Sequence, residues 1–181
     1  KEMKRVCKKG GFIGFFVYNS FADWRHNIQR NEIIRNGGEE IKERLDYAIK
    51  KYSKKPFTSL TSYEISRFYD QYVQPYKSDH TIDEILSWQK ELNLEYSGSF
   101  PPLQLKQTIN YVNDRNHYAK EYPVRTLFGK LITKVFKFMP RFKNKVSYPS
   151  KLSIIFWHII FWIQGCRGHY SQGVAIGALK K

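Results

Sequence analysis

The stretch that most constrains the fold is Phe12 to Val17, a continuous apolar run rich in β-formers directly after Gly10-Gly11. A run with no polar alternation predicts a strand buried on both faces. Upstream, Met3 and Val6 fall at helical spacing, and Lys and Arg crowd the end of the same segment, where a helix dipole favours cations. Gly10-Gly11 then stops the helix. Helix, Gly-Gly and buried strand together make the αβ half of a βαβ unit, so the fold class expected is α/β.

Downstream, helical signals dominate. Residues 23–36 and 39–52 read as helices separated by Gly37-Gly38, and Ile41, Leu45, Ala48 and Tyr52 make one face of the second. Thr61 with Glu64 and Thr81 with Glu84 are capping boxes, each opening a further helix. The helix after Thr81 turns Ile82, Ile85, Leu86 and Leu92 inward. Glu95 to Phe100 reads as a strand closed by Pro101-Pro102, residues 104–120, 125–139 and 151–164 as helices, and Gly173 to Leu179 as a last strand.

Charge is unevenly placed. The 181 residues carry a net charge of +15, yet residues 122–181 hold 11 Lys or Arg and no Asp or Glu. Such a tail faces an anionic partner or is solvated excess charge. Lys130, Lys134, Lys137 and Arg141 recur on one helical face, with Phe128, Leu131, Ile132, Val135, Phe138 and Met139 opposite. Next comes an apolar stretch, Ile154 to Trp162. The pair suits contact with an anionic membrane surface, Trp157 and Trp162 lying at headgroup depth. The alternative is a helical cap on the sheet with solvated lysines. No apolar run reaches the ~20 residues of a spanning helix.

Two cysteines, Cys7 and Cys166, make no disulfide framework and fit a reducing, cytoplasmic compartment; both are expected to be buried spectators. His26, His117, His158 and His169 are scattered, with no i, i+4 pair to suggest zinc. No secretory signal is evident. A chain opening on Lys1 rather than methionine reads as processed or incomplete.

The stretch Lys8-Lys9-Gly10-Gly11-Phe12, followed by Tyr18-Asn19, resembles the middle of Rossmann-like S-adenosylmethionine-dependent methyltransferases, where a helix and Lys-Pro-Gly-Gly precede strand five; Lys9 replaces the proline. Tyr69-Asp70-Gln71-Tyr72-Val73-Gln74-Pro75 and the segment His80 to Trp88 are similar to a subgroup with Asp-x-Tyr-x-x-Pro before a Thr-x-x-Glu-capped helix ending near Trp. That subgroup often has His where this chain has Gln74. Gly173 to Lys180 resembles the terminal strand. The likeness covers roughly residues 1–103 and 168–181.

The resemblance implies one partial domain over residues 1–181, carrying strands five to seven. Strand five would lie beside the terminal strand. Residues 20–78 would be a helical insertion on the acceptor side, and residues 104–167 a basic, aromatic insertion. The expected activity is methyl transfer to an O, N or C acceptor, and the basic, aromatic tail points to one that is lipid-linked, membrane-associated or anionic. The family holds its cofactor, S-adenosylmethionine, on a glycine-rich loop after strand one and an acid ending strand two. No cofactor or metal residue carries over here, so the cofactor half would precede Lys1.

Tyr18 and Asn19, at the strand exit, and Asp70, Tyr72 and His80 are the substrate-side candidates. Ligands in open α/β sheets bind beyond the carboxyl ends of strands, and a carboxylate or imidazole could take the acceptor's proton. Each also has a plain structural reading: Asn19 in a turn, Asp70 at a helix end, His80 before a cap. The alternatives are a nucleic-acid methyltransferase or RNA-binding module, which the basic charge and 13 tyrosines would suit, and a non-catalytic interaction domain.

Overall fold

The computed structural model describes residues 1–113, 131, 134–140, 142–143, 146–166 and 173–181. Phe12–Asn19 forms strand β1, entered from the short helix α1 (Glu2–Val6) through Gly10, whose φ of 73° lies in the left-handed region that only glycine adopts freely. Strand β1 runs without a break into helix α2 (Ser20–Asn36). Helix α3 (Ile41–Tyr52), α4 (Ser62–Phe68) and a π turn (Tyr69–Val73) follow, and then the two-residue strand β2 (Asp79–His80). Helix α5 (Ile82–Glu91), strand β3 (Leu94–Phe100) and α6 (Leu105–Asn113) come next. Helix α7 (Lys151–Cys166) and strand β4 (Gly173–Lys180) close the chain.

The predicted caps of α4 and α5 form as expected. Thr61 and Thr81 each accept from the backbone N–H three residues on, and Glu64 and Glu84 reach back to the cap N–H. These contacts satisfy amides that a helix start leaves unpaired.

The protein is α/β, with a four-stranded mixed sheet in the order β2-β1-β4-β3. Strand β1 pairs antiparallel with β4, Phe12 opposite Leu179 and Tyr18 opposite Gly173, which is the expected neighbour relation. Strand β3 pairs antiparallel with β4 on its other side, and β2 adds parallel to β1 only at Tyr18 and Asn19.

The expectation that β1 is buried on both faces is not met. Ile13, Phe15 and Val17 face the helical layer, but Phe12 is 66 % and Phe16 60 % exposed. The reason is one-sided packing. Phe21 and Ala22 of α2, Ile82, Ile85 and Leu86 of α5, and Trp157 and Phe161 of α7 share one core with Tyr96, Val174 and Ile176. On the other face Phe12 and Phe16 lie over glycines, Phe12 against Gly177 and Phe16 against Gly173. A second, smaller core joins Ile33, Ala48, Tyr72 and Val73, and so ties α2 and α3 to the π turn.

Candidate functional site: a buried charge cluster at the carboxyl end of β1

The end of β1 is built around Asn19. It is the last residue of the strand and the N-cap of α2, its fully buried Oδ1 accepting from the Phe21 N–H at 3.0 Å. Capping fits the turn reading of this residue. The opposite amide atom, Nδ2, is buried with no hydrogen-bond partner.

One turn into α2, Asp23, His26 and Arg30 point inward at helical spacing and are buried. The segment that leads into β2 brings Lys77 and Asp79 against them. Lys77 Nζ donates to Asp23 Oδ2 at 2.6 Å, lies 3.2 Å from His26 Nδ1 and is 3.5 Å from Asp79 Oδ1. The Lys77 and Asp23 side chains are 7 % and 0 % exposed. Asn27 Nδ2 donates to Asp79 Oδ2 at 2.6 Å, and Arg30 donates to the carbonyls of Gln71 and Gln74, which holds the π turn in place.

Two carboxylates, one ammonium and one guanidinium balance. A buried ion unmatched by an opposite charge would cost several kcal/mol, so this balance is what lets the group sit inside the fold. His26 is the neutral member. Burial, reinforced by Lys77 and then Arg30 and only partly opposed by Asp79, lowers its pKa to about 3. Because the Lys77 ammonium can only donate, Nδ1 of His26 is the acceptor, which assigns the ring proton to Nε2. Burial also lowers the Arg30 pKa, against the pull of Asp79 and Asp23, and the guanidinium stays charged.

Of the candidates read from the sequence, Tyr18 and Tyr72 meet in this cluster. The Tyr18 ring sits over Lys77 Nζ at 5.1 Å and is partly exposed. Buried Tyr72 meets the edge of His26 at 4.9 Å between ring centroids and stacks on Tyr52 and Phe68. Asp70 is exposed on the π turn, outside the cluster. His80 pairs with Asn19 through the backbone, but its ring belongs to α5: Nδ1 is 3.4 Å from Glu84, Nε2 is 3.1 Å from Ser78, and the ring meets Trp88 at 4.7 Å.

Lys77, Asp79, Asp23 and Arg30 were not singled out from the sequence, and His26 stood there only among the scattered histidines. The available signal was α2 itself. Positions 23, 26 and 30 recur at helical spacing on the side that also carries buried Ala22 and Ile33, where an ordinary surface helix would be apolar.

The basic segment divides differently. Lys130, Phe128, Ile132 and Arg141 lie outside the described residues. Lys134 and Lys137 are exposed, and so are Leu131, Val135, Phe138 and Met139. Only Phe136 of this segment's described residues is buried, packed with Ile109. Trp157 is corrected: at 1 % exposure it is a residue of the main core, its ring beside that of Phe161, because α7 turns that side onto the sheet. Trp162 is on the outer side and exposed. Cys166 is likewise exposed rather than buried.

No helix among the described residues is long and apolar enough to cross a membrane. Nor are three His, Cys, Asp or Glu side chains arranged among them so that they could hold a metal ion. Where Asp23, Asp79 and His26 converge, the cation is the Lys77 ammonium. A cleft of about 400 Å³ lies elsewhere, beside the amino-terminal half of β1, lined by Met3, Ile13, Phe15, Val17, Trp88 and Leu92 among others. No family model, curated protein or solved structure matches the chain.

Proposed function

We propose that this chain forms the acceptor side of an S-adenosylmethionine-dependent methyltransferase. The cofactor is held by residues outside these 181, and the acceptor meets the carboxyl end of β1. The observation that carries this reading is the coincidence of two features. Strand β1 lies beside the C-terminal strand β4, as the motif resemblance implies for strands five and seven. The strand's carboxyl end, where open α/β sheets bind ligands, carries the buried charge cluster with Tyr18 as its partly exposed member.

In this reading Lys77 is a fixed positive charge behind the Tyr18 ring. Its attraction to the ring face sets the ring's angle toward the acceptor. Methyl transfer is an in-line displacement that depends chiefly on alignment, so a rigid wall is a useful contribution. His26 is buried and neutral and positions its neighbours; it is not assigned as a base. No residue of this chain is assigned to the cofactor.

Calorimetry tests the proposal. The 181-residue chain and the longest natural protein that contains it are each titrated with S-adenosylmethionine. Silence from the chain with binding by the longer protein supports the reading. Silence from both removes it, and tight binding by the chain alone means that the cofactor site has been misplaced.

A further inference from the structure

Helix α7 is the most apolar helix described, yet it is not fully buried. Ile154, Trp157, Ile160 and Phe161 pack into the core, while Leu152, Ile155, Ile159 and Trp162 are exposed, with Trp162 at 51 %. The exposed positions fall at steps of three, four and three, so they form one stripe along the outer side. At 1.5 Å per residue the stripe is about 15 Å long. Single exposed apolar side chains are ordinary, but a contiguous stripe marks a contact surface.

Its surroundings name the partner. Lys151 is exposed at one end of the stripe. Along one flank, Phe136 meets Phe156 of α7 at 6.2 Å between ring centroids, which places segment 134–139 against the helix. That segment adds exposed Val135, Phe138 and Met139 together with exposed Lys134 and Lys137. Residues 122–181 contain no Asp or Glu. The carboxylate met on the opposite flank is Asp83, 3.5 Å from His158. An apolar strip with a tryptophan, rimmed by lysines, matches the layered chemistry of an anionic bilayer: acyl chains below, headgroup phosphates above. With 16 residues, α7 is shorter than the ~20 needed to span, and its inner side is committed to the sheet.

We infer that α7 lies flat in the surface of an anionic membrane, with Leu152, Ile155, Ile159 and Trp162 inserted and Lys134, Lys137 and Lys151 on the headgroups. This surface does not require methyl transfer; under that reading it would bring an acceptor of the bilayer to the end of β1.

The test is co-sedimentation of the whole chain with phosphatidylserine–phosphatidylcholine vesicles and with phosphatidylcholine alone, at low and high salt. Binding should be to the anionic vesicles and should weaken with salt. Replacing Lys134 and Lys137 with Gln should weaken it about twenty-five-fold, from about 1 kcal/mol for each lysine. The double variant Ile155→Asp, Ile159→Asp should weaken binding at least about tenfold more than the lysine pair does. Both isoleucines are exposed, so its circular dichroism should stay unchanged. Brominated lipids provide a check that leaves the lysines and isoleucines in place: they should quench Trp162, identified by the loss of that signal in Trp162→Phe, a conservative change at an exposed position. Equal binding to neutral vesicles, undiminished binding by the aspartate variant, or unquenched Trp162 overturns the inference. So does a lipid-free dimer that Ile159→Asp dissociates, since a second copy would then cover the stripe.

Discussion

Lowering the pH from 7 to 5 loads the buried cluster through one group. His26 has an ordinary pKa of 6.5 and sits at about 3 in the fold. Between those values the unfolded chain binds a proton that the folded chain refuses, so stability falls as the solution is acidified. Above about 7 the ring is neutral in both states and contributes nothing. At pH 5, roughly 1.5 units below the unfolded value at about 1.4 kcal/mol per unit, the loss is about 2 kcal/mol. This figure depends little on the folded value, because at pH 5 the folded ring is still almost wholly neutral. The ceiling near pH 3 is about 5 kcal/mol. The comparison is His26→Gln, which keeps an acceptor for Lys77 but takes no proton. Urea unfolding of both proteins, followed by tryptophan fluorescence at pH 7 and 5, gives the two slopes. His158 also has a lowered pKa through burial, but it is present in both proteins and cancels. The wild type should lose about 2 kcal/mol more than the variant; parallel losses would refute the account of His26.

Lys77→Met leaves Asp23 buried opposite a thioether and should cost about 3–5 kcal/mol in the same unfolding assay; a change under about 1 kcal/mol would mean that the carboxylate is hydrated. Trp157→Ala removes the centre of the main core and should cost about 3–5 kcal/mol, whereas truncating exposed Trp162 to Ala should stay within about 0.5 kcal/mol. Thr81→Ala breaks the cap of α5 and should cost about 1 kcal/mol, read as a lower thermal midpoint.

The strands and caps were legible because their signals are local. Gly-Gly before an apolar run gives β1, and Thr-x-x-Glu gives the starts of α4 and α5. Which side of a strand is covered is not local: Phe12 and Ile13 look alike in sequence, and only the placement of α2, α5 and α7 separates them. The same limit hid the charge cluster. Lys77 and Asp23 are 54 positions apart, and each alone reads as ordinary surface charge. Trp157 and Trp162 sit in one apolar stretch that the sequence treats uniformly. The direction in which α7 meets the sheet makes one a core residue and leaves the other outside.

The rings of Phe12 and Phe16 rest on Gly177 and Gly173, where a Cβ would run into them: 2.6 Å from the nearest ring atom at Gly177, and closer still at Gly173. The two aromatic positions and the two glycine positions therefore share a fixed volume across β1 and β4. A sequence drifting under this constraint changes them together at less cost than one at a time. Alanine at 173 requires the exposed Phe16 ring to swing aside or residue 16 to shrink, and a side chain at 177 must displace both the Phe12 ring and Ser97 Oγ, 2.8 Å from the same Cβ. Descendants that keep this sheet should show the pairs 12 with 177 and 16 with 173 changing size in opposite directions, a pattern of covariation that would mark the strand pairing even after the Gly-Gly turn and the threonine caps had been lost.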